Sequence, residues 1–344
     1  MISFQEKIWK DGEYNYEAAY GFVPNIYSYL HDDDKIRPCM LVVPGGGYCM
    51  VCNVEGEPMA RISYADGMNV FVLTYTTDIT MSVPLKLQPL NDLSRAIRYI
   101  RANSERFHID VNKLTIVGSS AGGHLCASIC THYADIEDCD PELNRFSNRP
   151  DSSILCYPVI TSGEFTHIYS IQALVGTEPS KEELEYFSLE KQVTPDTPPC
   201  FVWQTVEDDL VPVENSMLYA EALRKNAVPY AYYAFPHGRH GLSVANEDVW
   251  KGDFGAPYTF EQVDRAIENV KNNTAVNVSQ KRHDELMMQF FGNLEGIKKE
   301  PEKQELPETD NKPAEPVISD AEKYADVAMW PSLCRHWLKS INML

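Results

Sequence analysis

The stretch Leu114-Thr-Ile-Val-Gly-Ser-Ser-Ala-Gly-Gly-His124 decides how this chain is read. An apolar, β-branched run enters Gly118-Ser119-Ser120-Ala121-Gly122, which fits G-x-S-x-G, and a helical pattern follows over Leu125–Cys130. At a strand-to-helix junction this is the signature of a nucleophilic serine on a sharp, strained turn. Small residues two positions before and after the serine let the backbone pass. The frame selects Ser120, because centring it on Ser119 puts Val117 and Ala121 at the glycine positions. The helix that follows aims its positive N-terminal end and free amides at the serine oxygen, and so at any oxyanion that forms there.

Working outward, short apolar runs at Ile26–Leu30, Met40–Val43, Asn69–Tyr75, Ile154–Tyr157, Cys200–Gln204 and Tyr230–Phe235 read as further strands. Most are nearly continuous in apolar residues, as strands covered on both faces of a parallel sheet should be. Helical patterns lie between them. Leu90, Leu93, Ile97 and Ile100 form one stripe behind Pro89, and Met217–Leu223 marks another helix. The alternation predicts a doubly wound, mostly parallel α/β sheet. An antiparallel pair is expected at its start, where the acidic turn His31-Asp-Asp-Asp-Lys35 joins the first two runs.

Three further segments sit where a serine nucleophile needs them. The run Met40–Val43 ends in Pro44-Gly45-Gly46-Gly47-Tyr48. Glycines after a strand let backbone N–H groups turn into a cleft, either as a phosphate cradle or as an oxyanion loop. Neither G-K-[ST] nor G-x-G-x-x-G accompanies them, and the serine elbow follows in chain order, so the oxyanion loop is the better reading. Beyond Cys200–Gln204 comes the acidic turn Thr205-Val-Glu-Asp-Asp-Leu-Val-Pro212, and beyond Tyr230–Phe235 comes Pro236-His-Gly-Arg-His-Gly241. Serine, acid and histidine thus follow one another in the order of an α/β-hydrolase, each just past a strand. His240 is the better base and His237 the decoy. His237 and His240 make a poor metal pair in a loop, and Cys49-x-x-Cys52 has no second pair nearby.

With 344 residues, 44% of them hydrophobic, the chain can bury a sizeable core. Its net charge of −20 argues against nucleic acid and anionic membrane surfaces as partners. The nine cysteines, an odd number in mostly apolar settings, read as reduced thiols of a cytoplasmic protein. An N-terminus without an apolar h-region argues against a secretory signal.

On these residues the chain resembles the acetyl-esterase and acetylxylan-esterase-like branch of the α/β-hydrolases, with feruloyl-esterase-like and hormone-sensitive-lipase-like groups as relatives. The stretches that carry the resemblance include Val42-Val-Pro-Gly-Gly-Gly-Tyr48, Glu55-Gly-Glu-Pro58 and Gln88-Pro-Leu-Asn-Asp92. Gly118-Ser-Ser-Ala-Gly-Gly-His124, Asp208-Asp-Leu-Val-Pro-Val-Glu-Asn-Ser216, Phe235-Pro-His-Gly-Arg-His-Gly-Leu242 and Trp330-Pro-Ser-Leu333 add to it. Together they span most of residues 24–257 and 322–344. The resemblance implies that the acid is Asp208, four residues before Pro212, with Asp209 its neighbour. It also implies a serine esterase acting on short acyl esters of sugars, acetyl above all, without metal or other cofactor. Ser120 would attack, His240 take the proton, Asp208 orient the imidazole, and the amides of Gly46, Gly47 and Ala121 hold the oxyanion. Tyr48 and Trp250 are candidates to stack on a sugar face, whereas Trp203, on a strand, reads as core. A peptidase or another ester hydrolase of this fold, or a non-catalytic binding protein built on it, are the alternatives. A homo-oligomer is left open. Pro44 stands where lipase-like relatives carry histidine.

Residues 258–321 have no counterpart in that resemblance and read as an insertion on a catalytic domain of residues 1–257 with 322–344. Within the insertion, 298–316 is rich in proline and charge and reads as a mobile loop. Leu286, Met287, Phe290 and Phe291 share one face of a helix, expected to bury itself at the active-site rim or a subunit interface.

Overall fold

The structure, a computed structural model, describes residues 1–292 and 319–344. The predicted loop 298–316 therefore lies outside the described residues. The apolar runs form β2 (Asn25–Tyr29), β3 (Arg37–Val43), β4 (Asn69–Thr74), β5 (Ile109–Ser119), β6 (Ser152–Cys156), β7 (Cys200–Thr205) and β8 (Tyr230–Phe235). A short polar strand, β1 (Gln5–Lys7), precedes them. They make one sheet in the order β1-β2-β4-β3-β5-β6-β7-β8, parallel from β4 through β8.

The antiparallel start is present, but β2 and β3 are not its pair. β2 pairs antiparallel with β1 (Glu6 opposite Ile26) and with β4 (Ile26 opposite Leu73), and β4 separates it from β3. The helix Glu57–Ala65 returns the chain from β3 to a parallel β4 at β3's flank, so only the far edge of β4 is left for β2. The acidic turn consequently spans the end of β4, where the amide of His31 donates to Asn69 Oδ1 at 3.0 Å.

Strand residues divide by parity between two cores. Leu41, Phe71, Ile116, Leu155 and Val202 face the helices Gln88–Ala102, Ala121–His132 and Glu214–Lys225. Leu90, Leu93, Ile97 and Ile100 are buried there as the stripe requires. Met40, Val42, Val117, Phe201 and Trp203 face the opposite side and are covered by the helices Glu57–Ala65 and Trp330–Ser340. Trp330 stacks on Trp203 with ring centroids 5.3 Å apart. Trp203 is fully buried, as a core residue.

Residues 261–291 pack onto this body. Val263, Ala266, Ile267 and Val270 of the helix Glu261–Lys271 enclose Leu286 of the helix Gln280–Phe291, with Ile79 and Met50 of the main body in the same cluster. Only half of the expected apolar face is covered: Leu286 is fully buried and Met287 partly, but Phe290 and Phe291 are exposed. The helix meets the body through Leu286 and Met287, and in its last turn the Phe291 ring lies 5.2 Å from Lys271 Nζ.

Candidate active site

Parallel strands end together. Val43 is opposite Gly118, Ser119 opposite Cys156, Cys156 opposite Trp203, and Thr205 opposite Phe235. The loops after β3, β5, β6, β7 and β8 therefore meet at the carboxyl edge of the sheet, where open α/β folds place their ligands.

Ser120 sits between β5 and the helix Ala121–His132 with φ 54° and ψ −121°, a backbone state that costs a non-glycine residue about 1–3 kcal/mol. Its neighbours must be glycine for steric reasons. A Cβ on Gly118 would lie 2.2 Å from the carbonyl oxygen of Gly122, and one on Gly122 would lie 2.1 Å from that of Val43. The amide of Ser120 donates to the carbonyl of Cys156 at 3.0 Å, and its own carbonyl accepts from His124 and Val159. Every backbone group of the residue but its side chain is thereby tied down.

His240 is brought to Ser120 from the far loop. Its Nε2 lies 2.8 Å from Ser120 Oγ, and its Nδ1 lies 2.8 and 3.0 Å from the two oxygens of Asp208. A carboxylate can only accept, so Nδ1 carries the proton and bare Nε2 accepts the serine hydroxyl. The Asp208 carboxylate is itself held by the amides of Leu210 and Val211, at 3.0 and 2.9 Å, and by Gln204 Nε2 at 3.3 Å. Its side chain is fully buried, and that of His240 is 12% exposed. Asp209 does something else: it accepts the backbone N–H of His240 at 2.9 Å, and that bond lowers its pKa. His237 points away, pairing with Glu207 at the surface. Serine, histidine and acid thus come together from three loops as the sequence order implied.

The glycine loop closes over Ser120. A Cβ on Gly45 would lie 2.9 Å from that of Ser120, and Gly46, at φ +126°, leaves no room for one beside the carbonyl of Met50. The carbonyls of Gly45 and Gly46 accept from Cys52 and from Cys49 and Met50, respectively. The amide of Gly45 is taken by Glu55 Oε2 at 2.7 Å. Among the described residues, the amides of Gly46, Gly47 and Ala121 have no acceptor. All three amides expected to hold an oxyanion are therefore free to donate.

Neither stacking candidate presents a ring to a ligand in the way expected. Tyr48 is 1% exposed and its hydroxyl lies 2.8 Å from His124 Nδ1, so no face is left for a sugar. Trp250, on the short helix Glu247–Lys251, is partly buried against the second core near Tyr324. Cys49 and Cys52 are free thiols that burial pushes up to about 11 and about 12, which makes them reluctant metal ligands.

Sequence reasoning left out several neighbours of the site. Glu55 is buried between Gly45 and Tyr157, whose hydroxyl donates to Glu55 Oε1 at 2.8 Å and whose ring meets His240 edge-on at 5.0 Å. His167 is bonded through Nδ1 to Ser170 Oγ at 2.8 Å, and its burial, then the nearby His240, lower its pKa. The available signals were position alone: Glu55 heads the stretch just after the glycine loop, and Tyr157 ends a strand at the carboxyl edge.

Comparison with known proteins agrees with this fold. The BD-FAE family, an α/β-hydrolase domain of feruloyl-esterase-like type, matches residues 25–223. Over 263 residues, 76% of the chain, 58% are identical to a Butyrivibrio fibrisolvens protein named endo-1,4-beta-xylanase B, of which 41% is covered. Over 209 residues, 58% of the chain, 31% are identical to an acetylxylan esterase of Xylanibacter ruminicola, of which 40% is covered. The chain thus spans about two fifths of the length of these curated relatives. An acetyl ester-xyloside bifunctional hydrolase from Caldicellulosiruptor lactoaceticus superposes with TM-score 0.67 at 36% identity, covering 79% of this chain and 97% of that one. With the sheet order, the serine turn and these likenesses in hand, the chain belongs to the BD-FAE family of α/β-hydrolases.

Proposed function

We propose that the chain is a serine carboxylesterase that removes short acyl groups, acetyl foremost, from the hydroxyls of xylan-derived sugars. The observation that carries this is the continuous hydrogen-bonded line from Ser120 Oγ through His240 to Asp208 beside three free amides. Ser120 Oγ attacks the ester carbonyl carbon as its proton passes to His240 Nε2. The carbonyl oxygen takes the negative charge, and the amides of Gly46, Gly47 and Ala121 donate to it. Collapse of the tetrahedral species expels the alcohol, which leaves with the proton from His240. Water then repeats the sequence on the acyl-serine, and Asp208 holds the imidazole in the tautomer that both halves need.

Two of the relatives carry names that support the acyl and sugar parts of the reading, acetylxylan esterase and acetyl ester-xyloside hydrolase. The xylanase name belongs to a protein of which this chain matches 41%. A glycosidic carbon offers no carbonyl to this serine, and glycoside cleavage ordinarily needs two flanking carboxyl groups. The test is turnover of p-nitrophenyl esters from acetate to octanoate, of methyl ferulate, and of an acetylated xylo-oligosaccharide. Acetyl esters should be preferred, and Ser120→Ala should lose at least about a thousandfold in kcat/KM while Ser119→Ala keeps most activity. Equal losses in the two variants overturn the role given to Ser120. A preference for ferulate overturns the acetyl part alone.

A further inference from the structure

We infer that Glu55 is a positioning residue for the reaction, a buried anchor that ties the glycine loop to the loop that carries His240; this rests on the serine-esterase reading above. Glu55 is 4% exposed and lies under the loop rather than in the line of proton transfer. Its Oε2 accepts the amide of Gly45 at 2.7 Å, and its Oε1 accepts the hydroxyl of Tyr157 at 2.8 Å. Tyr157 uses the same oxygen to accept the amide of Ser243 at 3.1 Å, three residues beyond His240. Ser243 in turn donates its hydroxyl to the carbonyl of Val54 at 2.7 Å, beside Glu55, and its carbonyl accepts Trp330 Nε1 at 2.9 Å. The ring formed by residues 45, 55, 157 and 243 therefore joins the loops after β3, β6 and β8 beneath the serine.

The polarity of this ring is what makes a carboxylate necessary. Both groups that face Glu55 are donors: a backbone amide has no choice, and the hydroxyl of Tyr157 already accepts from Ser243. The carboxylate gives each of them an oxygen of its own. Burial raises the pKa of Glu55, while the neighbouring His240, the Tyr157 hydroxyl and the Gly45 amide all favour its charged form. The bond also explains the selection among the three glycine amides. Gly45 spends its N–H on Glu55, and the amides of Gly46 and Gly47 are left without an acceptor. A shift of the loop by about 1 Å would misplace those donors, at a cost on the order of a hundredfold in rate.

Glu55→Gln keeps the shape but turns one acceptor into a donor, so either Gly45 or Tyr157 loses its partner. The experiment compares wild type, Glu55→Gln, Glu55→Asp and Tyr157→Phe. It measures kcat and KM on p-nitrophenyl acetate, the inhibition constant of a methylboronic acid, and stoichiometric labelling by a fluorophosphonate. The boronate becomes tetrahedral on a serine and places an oxygen where the oxyanion sits. In Glu55→Gln, kcat should fall about a hundredfold with KM within about threefold, and boronate affinity should fall by a similar factor. Glu55→Asp should recover part of the loss, and Tyr157→Phe, which removes one donor and keeps the ring, should show the same split more weakly. A kcat within about threefold of wild type, or a loss matched by the fraction of sites that no longer label, overturns the inference. If Glu55→Gln does not fold, the same criteria apply to Tyr157→Phe. Failure of wild type to label at Ser120 would instead strike the serine reading itself.

Discussion

Protonation of His124 should loosen the hold of the glycine loop on the elbow helix and cost the fold about 3 kcal/mol. His124 is fully buried, its Nε2 lies 3.1 Å from the carbonyl of Phe187 and its Nδ1 lies 2.8 Å from the hydroxyl of Tyr48. A carbonyl only accepts, so Nε2 carries the hydrogen and Nδ1 accepts from Tyr48; a second proton has no place to go. Burial accordingly lowers the pKa from 6.5 to about 4. The unfolded chain takes up that proton near 6.5 and the folded one only near 4. The stabilisation is complete above 6.5 and is lost as pH falls toward 4. At about 1.4 kcal/mol per pH unit the gap is worth about 3 kcal/mol, of which about 2.5 kcal/mol should be gone by pH 4.5. The assay is urea unfolding of wild type and His124→Gln between pH 4.5 and 8. The variant starts less stable because it loses the Tyr48 bond, but the gap between the two should shrink by about 2.5 kcal/mol at the acid end. His31 and His132, also lowered by burial, are common to both proteins and cancel in the difference. A gap that stays constant with pH would refute the argument, because it would mean that His124 titrates alike in both states.

Asp208→Asn should reduce kcat by roughly ten thousandfold, because an amide cannot accept from the Leu210 and Val211 amides and His240 Nδ1 with both of its ends. Asp209→Asn keeps an oxygen for the His240 amide and should cost less than about tenfold; steady-state kinetics on p-nitrophenyl acetate separates the two. In the insertion, Leu286→Ala should destabilise by about 2–5 kcal/mol in urea unfolding, as a large-to-small change in a closed cluster does. Phe290→Ala, at an exposed position, should stay within about 0.5 kcal/mol.

Ser120 and His240 could be read as candidates from their own neighbourhoods, whereas the choice of Asp208 over Asp209 came from the resemblance. A nucleophile turn needs Gly118 and Gly122, since a Cβ on the first would strike the carbonyl of Gly122 and one on the second that of Val43 in the neighbouring strand. Apolar runs mark β4, β6 and β7 for a like reason: a strand covered on both faces is apolar along nearly its whole length. Glu55 stood in a stretch that carries the resemblance but received no role, because nothing near it in the chain says that two donors, from Gly45 and Tyr157, will converge on it.

By itself, then, the sequence determined the parallel sheet, the serine turn, and the order serine, acid, histidine at strand ends, since these are local patterns repeated along one chain. Tertiary structure alone decided which strands are neighbours. β2 takes its place beside β4 because the helix Glu57–Ala65 fills the connection from β3, and the three-residue β1 exists only as a partner for β2's open edge. It also decided burial. Tyr48, read as a ring for sugars, becomes a donor in the core once the elbow helix brings His124 against it. Phe290, read as part of a buried face, remains 39% exposed, outside the cluster that encloses Leu286. Periodicity tells which residues share a side, but the body that meets that side comes from distant chain, and only folding brings it there.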